Sequence, residues 1–125
     1  MDVTPLIAQG QQIIQSYAGG TFKVSGEKYS NAIIVAPHDT ILWEGVNDFE
    51  SLTLDHFSGL VAQANDIDVV LLGTGAQMKF FNLALKSQLS TKGLPIDVMD
   101  TGAACRTYNV LMAEGRRVVA VLLPA

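Results

Sequence analysis

One cysteine and a polar cluster beside it are the most chemically suggestive residues of this chain. Cys105 follows Thr101 by four residues and directly precedes Arg106. Thr101 can cap a helix start, and a helix dipole and a guanidinium both favour a thiolate. That placement allows a nucleophile or a redox sensor. It equally suits a small core residue, because Ala104, Tyr108, Leu111 and Met112 form an apolar helical arc with Cys105 and Asn109 at its edge. No histidine is near in sequence, so a Cys–His pair would have to be made by the fold. Asp100, Thr101, Arg106, Thr107 and Asn109 surround a predicted strand-to-helix junction. Open α/β sheets bind ligands at such junctions. Capping by Asp100 or Thr101 and an ion pair of Arg106 would explain the same residues without a ligand.

A second candidate is Gly73-Thr74-Gly75, which lies between an apolar run and a helical pattern. Dinucleotide-binding folds hold a pyrophosphate at such a turn. The third glycine of that fingerprint should fall at position 78, which is Met78, and no Gly-Lys-Ser/Thr follows. Asp97 and Asp100 stand where a ribose ligand would, but acidic residues are common at strand ends. A tight β-to-α turn is the competing explanation. A ligand held between Gly73–Gly75 and the Asp100–Asn109 helix start would be a small anion, because backbone N–H groups and Arg106 favour a carboxylate or phosphate.

The remaining candidates carry less chemistry. His38 falls in a turn, and His56 follows Asp55 near a helix start. Neither has metal-ligand spacing, and a single cysteine excludes an internal disulfide and a Cys-based zinc site. No metal and no cofactor is expected. Glu114, Arg116 and Arg117 straddle a helix end and suit ion pairing there. Phe80 and Phe81 are adjacent, so both cannot easily face one core. Both are candidates for a partner surface, and core packing is the alternative for either.

The elements that position these residues are legible from periodicity and punctuation. Gln12–Tyr17 and Thr21–Val24 are expected as short strands. Ala32–Ala36 and Thr40–Glu44 form a hairpin around Pro37-His38-Asp39. Thr53 caps a helix of about a dozen residues, with Leu54, Phe57, Val61 and Ala64 as its buried stripe. Ile67–Leu72 is a continuous apolar run, as in a buried parallel strand. A helix capped by Asn82 follows, with Phe81, Leu85 and Leu89 facing the core. Pro95–Met99 is the next strand. Gly102–Glu114 is the third helix, closed by Gly115, and Arg117–Leu123 is the last strand. The order β–β–α–β–α–β–α–β points to a three-layer α/β domain with a mixed sheet.

Composition sets the outer limits. The 125 residues are 49% hydrophobic and 16% charged, enough for one core and incompatible with wholesale disorder. A single domain over residues 1–125 is expected. Eight basic against twelve acidic residues leave a net charge of −4, which argues against nucleic acid or an anionic membrane as a default partner. Met1-Asp2-Val3-Thr4-Pro5 lacks the basic start and apolar run of a signal peptide. The most apolar stretches are far shorter than a membrane span of roughly 20 residues. The expected location is the cytoplasm, with peripheral membrane association and a homo-oligomer through sheet edges left open.

The stretch from Met99 to Val118, beginning Met99-Asp100-Thr101-Gly102-Ala103-Ala104-Cys105-Arg106-Thr107-Tyr108-Asn109, is distinctive. It resembles the closing segment of a family of small proteins of largely uncharacterised function. That family includes the mitochondrial complex I assembly factor three and an adipogenesis-associated protein. Tyr17-Ala18-Gly19-Gly20-Thr21-Phe22, Gly26, Trp43 and Leu71-Leu72-Gly73-Thr74-Gly75 agree in order. The resemblance implies a three-layer fold around a mixed five-stranded sheet, with the last strand antiparallel to the others. It implies no catalytic residues, so Gly73, Gly75, Asp100, Thr101, Cys105, Arg106 and Asn109 carry over only as site candidates. Family members often have proline near the start of the second helix, where this chain has Phe81 and Asn82. The mitochondrial relative helps assemble respiratory complex I with a partner protein at the inner membrane. The resulting expectation is a non-enzymatic assembly or interaction factor with a protein partner, for respiratory or membrane complexes. The alternative is a small anionic ligand-binding protein or enzyme.

Overall fold

Alternation of apolar residues along the strands builds two cores on opposite faces of one sheet. A computed structural model describes residues 10–125; the signal-peptide expectation for Met1–Pro5 lies outside them. A small antiparallel sheet comes first: β1 (Ile14–Ser16), β2 (Phe22–Val24) and β3 (Glu27–Tyr29). In β2, Phe22 and Val24 are buried and Lys23 is exposed, the period of a half-buried strand. The two-residue turn Ser25-Gly26 has positive φ at both positions, 45° and 89°, as the right-handed twist of a hairpin favours.

The main sheet has the order β5-β4-β8-β6-β7. Its members are β4 (Ile33–Ala36), β5 (Asp39–Leu42), β6 (Val69–Gly73), β7 (Ile96–Met99) and β8 (Val118–Leu122). β4 and β5 form the expected hairpin. β8 enters at the centre, between β4 and β6. It runs parallel to β6 and antiparallel to β4. The expected last strand antiparallel to the others is therefore corrected: β4 is the strand that opposes its two neighbours. The cause is the connection. The α3 helix (Thr101–Ala113) returns the chain across the sheet, so β8 repeats the direction of β7, as a β–α–β crossover requires.

Three layers result. On one face, Phe57, Leu60, Phe81, Leu85, Leu89 and Trp43 cover Val70, Leu72, Ile96, Val119 and Val121. On the other, Ala104, Cys105, Tyr108 and Met112 of α3 join Ile14, Phe22 and Val24 of the small sheet over Leu71, Ile33, Val35, Ala120 and Leu122. The α2 helix (Leu83–Thr91) begins where expected, with the Asn82 side chain accepting from Leu85 N–H. The long helix expected after Thr53 is instead broken. Leu54–Phe57 and Ala64–Asp66 are 3₁₀ turns flanking the short α1 (Ser58–Ala62). Trp43 Nε1–H donates to the His56 carbonyl at 2.8 Å, an acceptor that a continuous helix would use, and Gly59 weakens the helix further. Among the described residues no helix is long and apolar enough to cross a membrane.

Candidate functional site

The strand ends of β6, β7 and β8 meet the start of α3, so the topology gathers most of the predicted site residues at one end of the sheet. The turn after β6 and the first residues of α3 touch directly. Thr101 N–H donates to the Gly75 carbonyl at 2.9 Å. Gly75 N–H donates to Thr101 Oγ1 at 2.9 Å, and Thr101 Oγ1–H donates to the Leu123 carbonyl at 2.6 Å. Thr101 is fully buried, so its hydroxyl is a three-way tie between β6, α3 and the end of β8. It does not cap α3. The N-cap is Asp100, whose carboxylate accepts from Ala103 N–H at 2.9 Å.

Gly73 explains the glycine pattern. A Cβ there would stand 2.9 Å from Leu122 Cδ2, 2.9 Å from Thr101 Oγ1 and 3.0 Å from Thr101 Cα. The glycine lets the helix start approach the strand, which is a packing requirement. Two amides of the turn are also engaged: Thr74 N–H donates to Met99 O, and Gly75 N–H to Thr101 Oγ1. The expected cleft between Gly73–Gly75 and the Asp100–Asn109 helix start is closed by these contacts. An open depression of about 420 Å³ lies on the other side of the turn, lined by Asn47, Asp48, Thr74, Gly75, Lys79 and Pro124 among others. Lys79 there pairs with Glu50 at 2.9 Å and holds that carboxyl below its ordinary pKa.

The helix residues are likewise turned to packing. Cys105 is 1% exposed, and burial pushes its thiol up to about 12, with Arg106 pulling the other way and Asp100 adding to the rise. A buried neutral thiol is a poor nucleophile at neutral pH. Arg106 is exposed; its Nη1 donates to Tyr17 Oη at 2.7 Å, and its guanidinium carbon lies 6.0 Å from the centre of that ring. Asn109 accepts from Ile14 N–H at 2.9 Å and donates to Ile14 O at 2.8 Å, clamping β1 to α3. Tyr108 Oη–H donates to Gln12 O at 2.9 Å, and burial raises its pKa. His56 contacts Thr53 and Gly45, and His38 is exposed. Among the described residues no three His, Cys, Asp or Glu converge.

The two phenylalanines part company. Phe81 is 9% exposed and packs against Phe49 and Phe57, with ring centroids 6.1 and 6.0 Å apart. It belongs to the core, which corrects its place as a surface candidate. Phe80 is 92% exposed. Two residues missed from the sequence stand with it: Met78, 51% exposed, and Leu83, 81% exposed. The signal for Leu83 was present, since it falls off the Phe81–Leu85–Leu89 stripe. These side chains border a groove of about 390 Å³ that also reaches Lys86, Val98 and Met99.

Residues 14–123 match the family described as "Protein of unknown function (DUF498/DUF598)". The chain belongs to that family. An uncharacterized family relative from Rhodobacter capsulatus is 32% identical over 111 residues, covering 89% of this chain and 83% of that protein. The human NADH dehydrogenase [ubiquinone] 1 alpha subcomplex assembly factor 3 is 30% identical over 111 residues, covering 89% of this chain. The chain spans 60% of that factor's length. A crystal structure of a Bordetella parapertussis protein superposes with a TM-score of 0.84 at 34% identity, covering 94% of this chain and 99% of that one.

Proposed function

We propose that this protein is an assembly or interaction factor that works by holding a protein partner, and that the partner belongs to a respiratory or other membrane complex. It acts as a single domain from the cytoplasm, at the membrane periphery. The observation that carries this reading is the Phe80 surface. A phenylalanine 92% exposed beside an 81% exposed leucine costs solubility unless a partner covers them. The name of the human relative, an assembly factor of the NADH dehydrogenase [ubiquinone] 1 alpha subcomplex, supports the same class of role. The saturated hydrogen bonding around Thr101 supports it too, because it leaves little for a small anion at the junction.

The test is cross-linking in cells at native expression, with co-purified proteins quantified against a matched control. Subunits of a membrane complex should be enriched with the native protein and lost with Phe80→Ser. Recovery of the protein alone overturns the reading.

A further inference from the structure

β7 is an outer strand of the main sheet, and it pairs with β6 alone. The phase of that pairing is set by two bonds at its ends: Val70 N–H donates to Pro95 O at 3.0 Å, and Thr74 N–H to Met99 O at 2.9 Å. Backbone groups alternate sides along a strand. Pro95, Asp97 and Met99 therefore face β6. The N–H and C=O groups of Ile96 and Val98 face outward, with no strand beside them among the described residues. The groove bordered by Met78, Phe80 and Leu83 runs along this open edge, because Asp97, Val98 and Met99 form its other wall.

Side chains alternate as well. Ile96 and Val98 pack toward the α2 face with Phe81 and Leu85, and Met99 packs toward the α3 face. Asp97 shares the Met99 face by the two-residue period and is exposed. It is in neither of the ion pairs formed among the described residues, Lys79–Glu50 and Arg117–Asp68.

We infer that β7 accepts an extended segment of a partner protein as a sixth strand, and that this segment alternates apolar and basic residues. The inference rests on the partner-binding role proposed above and specifies how that partner is held. Main-chain hydrogen bonds to Ile96 and Val98 supply the attachment, as in other cases of strand addition. Apolar side chains of the added strand meet Val98, Phe80 and Leu83 on the α2 face. A basic side chain lies across from Asp97 on the α3 face. An acidic segment would set like charge against Asp97 at the strand itself and find only Lys86, on the opposite face, to balance it. A second copy of this chain fits less well. Antiparallel pairing of Ile96 with Val98 of another β7 would place Asp97 directly opposite Asp97.

The test uses two fluorescent eight-residue peptides, one alternating valine with lysine and one alternating valine with glutamate. The native protein should bind the lysine peptide at least about tenfold more tightly. Amide shifts on binding should concentrate at Ile96, Val98, Phe80 and Leu83. Val98→Pro removes an outward donor and no bond to β6, a substitution that edge strands tolerate. It should weaken the lysine peptide about tenfold or more while the melting temperature stays close to native. Asp97→Lys, at an exposed position, should invert the preference between the peptides. Absence of binding, shifts centred on another surface, self-association in place of peptide binding, or indifference to both variants overturns the inference. Cross-linking in cells separates it from the broader reading. A captured partner lost with Phe80→Ser but retained with Val98→Pro leaves the assembly role standing and removes strand addition.

Discussion

Two regions flank the ends of β6 and β7 and use their residues in opposite ways. At the start of α3, polar groups are abundant and the central ones are engaged: Thr101 ties three segments, Asp100 caps the helix, and Asn109 clamps β1. Across β7, the loop leading into α2 spends its polar groups locally, in the Lys79–Glu50 pair and the Asn82 cap, and leaves Met78, Phe80 and Leu83 in solvent. The first region is rich in residue types that suggest catalysis, yet its geometry serves cohesion. In the second, the one cation of the loop, Lys79, is paired with Glu50, and the large apolar side chains at its tip are left without cover. A hydrogen-bonding group already satisfied inside the fold has little to offer a ligand, whereas uncovered apolar area favours association.

That contrast can be broken by substitution. Thr101→Val keeps the shape and removes the hydroxyl, leaving the Leu123 carbonyl and Gly75 N–H without their partner in a buried site. It should cost about 3 kcal/mol and lower the melting point by roughly 10 °C or more; a change of a degree or two would show the tie to be dispensable. Gly73→Ala forces a methyl against Leu122 and the Thr101 backbone. The expected loss is about 2 kcal/mol in urea unfolding. Asp100→Ala removes the cap on α3 and should cost about 1 kcal/mol. For Cys105 the effect appears only in alkali. The unfolded thiol ionises near its usual pH of about 8.5, while the folded one is held up to about 12. The folded state is therefore favoured below that lower value and loses stability as pH rises through the interval between them. Urea midpoints should fall over that range in the native protein and less in Cys105→Ala, and thiol labelling of the native protein at neutral pH should be slow. Phe80→Ser should move stability least, by under about 0.5 kcal/mol, while removing partner capture. A large stability loss there would place Phe80 on the cohesive side of the contrast.

The legible parts of the fold were those with strong local patterns. The apolar runs at 67–72 and 118–123 are β6 and β8, and Asn82 marks the start of α2, because a cap and a stripe are local signals. Glu27–Tyr29 gave no such signal, since a three-residue polar strand on a small sheet buries almost nothing. The break around α1 depends on the Trp43 indole, which arrives from 13 residues away to take the His56 carbonyl. The place of β8 and its direction follow from a crossover that no stretch of residues displays. The site was legible in membership more than in role. Gly73, Gly75, Asp100 and Thr101 do meet, but what Gly73 must avoid is Leu122 and Thr101, far along the chain. Adjacency made a shared core difficult for Phe80 and Phe81, and the stripe with Leu85 and Leu89 pointed Phe81 inward, where Phe49 and Phe57 hold it.

The central place of β8 has a consequence in time. Both of its neighbours, β4 and β6, are synthesised before it. Until residues 118–122 leave the ribosome, the β4–β5 hairpin and the β6–β7 pair are two fragments with no strand joining them, each presenting an open inner edge. Long-range pairing of this kind is slow, and such edges are where nascent chains stick to one another. The sheet is thus completed by insertion of its middle after both flanks, and a chain stopped before residue 118 should leave those two halves unjoined.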